Sequence, residues 1–96
     1  MSTQLLQEKI VLGDEYDVEL RKTLFEVLQK LGATEIEKSS GVAGSQEVQT
    51  FCAKVGAKSV LVEAETYIGL SLTGDPFLVR EVAHRVRQRL PRLLPP

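Results

Sequence analysis

Glu63 and Glu65 stand two residues apart in the run Ser59–Thr73 (SVLVEAETYIGLSLT). In an extended chain this spacing sends both carboxylates to one face, about 7 Å apart at Cβ. Such a pair could help hold a hard cation or divide acid and base roles. Tyr67 continues that face with an amphipathic ring suited to a contact surface. A solvated sheet face explains the same pattern and is the weightier reading. The other chemically versatile side chains are single. Cys52 sits in an apolar pattern and reads as a packing thiol. His84, the only histidine, sits among arginines and reads as an exposed helix residue without a role. One Cys and one His supply no CxxC or HxxxH spacing, so the sequence calls for no zinc, no catalytic group and no cofactor.

The stretch Ser39–Ser45 (SSGVAGS) combines small residues with three hydroxyls. As a loop it could cradle an anion on free backbone N–H groups, with Ser39, Ser40, Gly41, Gly44 and Ser45 as the candidate contacts. It lacks the GKS or GKT ending of a phosphate-binding P-loop and the GxGxxG spacing of a dinucleotide fold. A plain connection between strands is the simpler reading. It remains the first loop to inspect, since loops carry function more often than their share.

The third candidate surface is electrostatic. The net charge of the whole chain is −1, which excludes a histone-like polycation. That total averages two unlike parts. Residues 1–75 carry 12 acids and 7 bases, whereas residues 76–96 carry 1 acid and 5 bases. Arg80, His84, Arg85, Arg87 and Arg89 are therefore candidate contacts for an anionic partner, nucleic acid included.

These residues need elements to hold them. Lys9–Leu12 (KIVL) reads as a strand, buried or nearly so. Asp14 reads as the N-cap of a helix in which Leu20, Leu24, Val27, Leu28 and Leu31 form one apolar stripe, closed by Gly32. Thr34–Lys38 alternates like a short strand, exposed at a sheet edge. Gln46–Val55 fits a helical face or a strand face, and its β-branched and aromatic content favours the strand. In Ser59–Thr73 the apolar residues hold the even positions almost throughout. A turn at Glu65–Tyr67 would contain no Gly, Asn, Asp or Pro, so the expectation is one long strand bent near Gly69. Asp75 and Pro76 then open a second helix with the apolar face Leu78, Val79, Val82, Ala83, Val86 and Leu90, ended by Pro91.

The expected fold is α+β, a single domain over residues 1–96. An antiparallel-rich sheet in the order strand, helix, strand, strand, long strand, helix would carry both helices on one face, and residues 90–96 would form a loose tail. Read from Asp14, the order helix, three strands, helix resembles the double-stranded-RNA-binding topology. The lysine cluster that opens that family's second helix is absent from GDPFLVRE, so no nucleic-acid contact carries over. No run approaches the ~20 apolar residues of a membrane span and the start lacks a secretory pattern, so a cytoplasmic protein is expected. A small core without Trp, a long strand with an edge to offer, and Leu93 and Leu94 in the tail favour a non-enzymatic interaction module, a homo-oligomer or the binder of a protein partner. Nucleic-acid binding through the last helix is the alternative, and a small-ligand site at the glycine stretch is the third reading.

Overall fold

The computed structural model describes residues 7–43, 46–65 and 68–93, with the backbone alone at 35–43, 46–48 and 93. The elements are β1 (Glu8–Gly13), α1 (Val18–Lys30), β2 (Thr34–Ala43), β3 (Gln46–Val55), β4 (Lys58–Glu65), β5 (Gly69–Gly74) and α2 (Pro76–Arg89), followed by a 3-10 turn at Pro91–Leu93. The strands form one antiparallel sheet in the order β1-β5-β4-β3-β2. The class is α+β, as the patterning predicts.

Both helices lie on the same face of this sheet. Leu20, Leu24, Val27 and Leu28 of α1 and Val79, Val82, Ala83 and Val86 of α2 are buried, in one cluster with Val60, Val62, Leu70 and Leu72 of the sheet. α2 packs over β1, β5 and β4. α1 covers β3, where Phe25 meets Phe51 edge to face with ring centroids 5.4 Å apart. Each fully buried aliphatic side chain contributes about 1.5–3 kcal/mol relative to leaving it in water, which fixes the facing of every element that carries one.

The helix ends are set by local hydrogen bonds. The Leu78 N–H donates to Asp75 Oδ2 at 3.0 Å, with Pro76 at the first helical position. At the end of α1, Gly32 has φ +84°; its N–H donates to the Gln29 carbonyl and the Ala33 N–H to the Leu28 carbonyl. These two bonds occupy carbonyls that the last turn would otherwise leave unpaired.

Five sequence expectations need correction. The cap of α1 is Asp17, which accepts from the Leu20 N–H at 3.0 Å. Asp14 cannot serve there because it accepts from the Tyr16 N–H at 2.7 Å in a turn of its own. β1 is an edge strand with Lys9 and Val11 exposed, not a buried one. β2 does not stop at Lys38 but runs to Ala43, and pairs with Gln46–Thr50 through the serine–glycine stretch. The long strand is a hairpin. Val60 pairs with Gly74 and Glu65 with Gly69, which leaves three residues for the turn. Three is odd, so apolar residues stay at even positions in both arms and the pattern mimics one strand. Gly69, at φ +113°, supplies at the turn's exit the backbone freedom that its interior lacks. Finally, the tail is anchored as far as it is described: a 3-10 turn spans Pro91–Leu93 and the Arg92 guanidinium lies 2.7 Å from Asp17, while residues 94–96 lie outside the described residues.

Candidate functional site

Helices on one side leave the other side of the sheet without a helix among the described residues. The register arranges this open face in rows across the strands. One row runs Lys9, Thr73, Leu61, Cys52. The next runs Val11, Ser71, Glu63, Thr50. Glu65 stands beyond Glu63 on β4. The predicted placement of Glu63 and Glu65 on one strand face therefore holds; Tyr67 lies outside the described residues.

The carboxylates on this face are half-buried, and their environments differ. Glu65 has the Lys9 ammonium 3.8 Å away. Glu63 is flanked by Ser71 and Thr50 across the strands and by Glu65 along its own. Burial is the main cause that lifts its pKa above the ordinary carboxylate value. A hydrogen bond with Glu65 and the charge of that residue add to the rise, and Lys9 opposes it. The hydroxyls of Ser71 and Thr73 are buried and have no hydrogen-bond partner, and Ser71 has no exposed surface at all. Among the described residues no group of three or more His, Cys, Asp or Glu is placed to hold a metal ion. Cys52 lies on the open face and His84 on the solvent side of α2, so the sheet separates the two side chains from which nucleophilic chemistry would start.

The glycine stretch is not a cradle at the positions described. Ser39, Ser40 and Gly41 are strand residues of β2, paired with Thr50, Gln49 and Val48. A strand engages half of its backbone groups in the ladder, whereas an anion nest needs successive free N–H groups. Gly44 and Ser45 lie outside the described residues.

The basic segment is largely neutralised within the chain. Arg80 makes two 2.8 Å hydrogen bonds to the carboxylate of Glu8 on β1. Arg85 reaches Glu81 one turn back at 2.7 Å. Arg89 reaches Glu26 of α1 at 3.2 Å, and Arg92 holds Asp17. The pairing draws the pKa of Glu8 below its usual value, chiefly through the hydrogen bonds from Arg80. That of Asp17 falls in the same way, chiefly through Arg92 and then through its capping bond. The charge split seen in the sequence is thus an intramolecular clamp that ties residues 80–92 to β1 and α1. Among the described residues Arg87 is the one arginine of α2 left without a carboxylate, and its Nε is buried without a hydrogen-bond partner. His84 is exposed between two shallow grooves. One, of about 470 Å³, lies between α1 and α2 along Val27, Lys30 and Glu81. The other, of about 430 Å³, lies between β1 and α2 along Ile10, Ala83 and Arg87.

Sequence reasoning missed the buried hydroxyl of Ser71 and the open edge of β1. Both follow from the β5 pairing, which the alternation of residues 59–73 conceals. No described helix is long and apolar enough to cross a membrane. Compared with protein-family models, with curated proteins and with solved structures, the chain matches none.

Proposed function

We propose that the chain is a non-enzymatic interaction module that self-associates through the open face of its sheet. The observation that carries this reading is the one-sided packing: both helices cover the same face, and the opposite one presents Val11, 47% exposed, at its β1 edge and the half-buried Leu61 and Cys52 on β4 and β3. Sheets with one face packed and one face free commonly stack on a second sheet about 10 Å away. Charge supports a second copy as the occupant. A two-fold axis along β5 sets β1 of one copy over β4 of the other, so that each Lys9 approaches the partner copy's Glu63 column. Such isologous contacts close after two copies. Nucleic acid is the weaker reading, because four of the five arginines in residues 76–96 already face carboxylates.

Sedimentation of the full chain tests the reading. The expected result is a concentration-dependent dimer in the micromolar range, lost in Leu61→Lys, which places a charge in the centre of the face while keeping the stem of the side chain. A wild-type chain that stays monomeric at about millimolar concentration would overturn it.

A further inference from the structure

A second surface lies on the opposite side of the sheet from that contact. β1 has β5 as its only strand neighbour, so its other edge carries backbone N–H and C=O groups that no described strand pairs. Native proteins blunt such edges with charge, bulges or cover. Here Lys9 is the only basic residue of the strand, and the register slips by one residue only at its far end, between Val11 and Gly13. The edge borders the groove of about 430 Å³ formed with α2, floored by Ile10 and Ala83 and walled by Arg80, His84, Arg87 and Gln88. Ile10 is half-buried against the core and open towards this groove.

The wall supplies the chemistry. Arg80 is held by Glu8, but Arg87 meets no carboxylate among the described residues and its Nε is both buried and unpartnered. A guanidinium in that state favours a planar anion that accepts from its fork of donors. We propose that the β1 edge binds an extended, acidic segment of a protein partner, which adds as a further strand, fills the groove over Ile10 with an apolar side chain and sets a carboxylate on Arg87. In a strand, alternate residues share a face, so one acidic and one apolar position two residues apart reach Arg87 and Ile10 together. Pairing of β1 with its own copy is disfavoured by charge. Antiparallel pairing about Ile10 brings the two α2 helices side by side with Arg80, His84 and Arg87 facing their like.

The test titrates the ¹⁵N-labelled full chain with an acetylated, amidated heptapeptide, Thr-Val-Thr-Glu-Thr-Val-Thr. Two control peptides replace its Glu by Lys or carry N-methyl groups at alternate amides. The expected result is a set of amide shifts confined to residues 8–13 and 80–88, with at least tenfold weaker binding for both controls and for the Arg87→Ala protein. Arg87→Lys, which keeps the charge, retains part of the affinity, and the unchanged fold of either variant is read from the rest of the spectrum. The proposal is overturned by equal binding of the N-methylated or Lys peptide, by unchanged affinity in Arg87→Ala, or by no shift at millimolar peptide. It is also overturned if, in Leu61→Lys, whose sheet face no longer associates, β1 still shifts with protein concentration in the absence of peptide, the sign of edge-to-edge self-pairing, or if a single-stranded oligonucleotide displaces the peptide from α2. Because Leu61 lies on the other face, Leu61→Lys leaves peptide binding unchanged, so this site and the self-association succeed or fail separately.

Discussion

Replacing Ser71 by alanine should stabilise the protein. Ser71 sits in the middle of β5 between Val11 and Glu63, has no exposed surface, and its hydroxyl finds no partner. A buried polar group left unpaired costs about 1–3 kcal/mol. Removing one oxygen opens a void of roughly 12 Å³, which at ~24 cal/mol per Å³ takes back about 0.3 kcal/mol. Alanine keeps Cβ and the strand geometry, so the expected gain is about 1–2 kcal/mol after allowing for its lower β preference. For a domain of this size 1 kcal/mol moves Tm by ~4–8 °C, so the variant should melt about 4–16 °C higher. Thermal and urea unfolding followed by circular dichroism, at submicromolar protein to keep association out of the measurement, reads both. The urea midpoint should rise with the slope unchanged. A Tm at or below that of the parent chain would mean that the hydroxyl is satisfied in solution, and the premise of an unpaired group on this face would be wrong.

Glu63→Gln should stabilise the fold at neutral pH. The pKa of Glu63 is raised in the folded state, so its contribution to stability is fully present below the unfolded value and is lost as pH rises through the folded one. The variant's advantage in urea unfolding should therefore be seen at pH 7 and vanish under acid conditions; an advantage independent of pH would refute the assignment. Gly69→Ala should destabilise by at least about 2 kcal/mol, because a Cβ at φ +113° would also overlap the Gly13 carbonyl oxygen. A near-neutral effect on Tm would argue against the hairpin's geometry at this position.

The helices were the legible part of this fold. An Asp–Pro start and a Gly stop are local signals, and local hydrogen bonds realise them at Asp75, Pro76 and Gly32. The choice between Asp14 and Asp17 was not legible. Both are competent caps, and what decides is whether the first is engaged by a turn of its own. The strand at Gln46–Val55 was readable from its β-branched and aromatic content, because its apolar spacing serves a helical face as well as a strand face. The hairpin was hidden by an odd turn length that leaves the alternation undisturbed; the telling residue, Gly69, lies just after the turn. On the open face, the common side of Glu63 and Glu65 came from spacing alone. Lys9 beside Glu65 and Ser71 beside Glu63 did not, because they depend on which strands become neighbours. The arginine pairs were beyond reach for the same reason: Arg80, Arg89 and Arg92 find their acids 72, 63 and 75 positions away.

Those separations bear on how the molecule forms and opens. β1 precedes the other strands in the chain, yet its strand partner is β5, and its ion pair is with the helix that follows β5. Closing a loop of that length costs about 3–4 kcal/mol of chain entropy before any contact rewards it. The β2–β3–β4 meander, joined by neighbouring contacts, can be in place well before β1 is captured, so the last event in folding is the docking of β1 and α2 together. Run in reverse, the same order makes β1 and α2 the first cooperative unit to detach, with amide exchange in both proceeding at one shared opening free energy below that of β3 and β4.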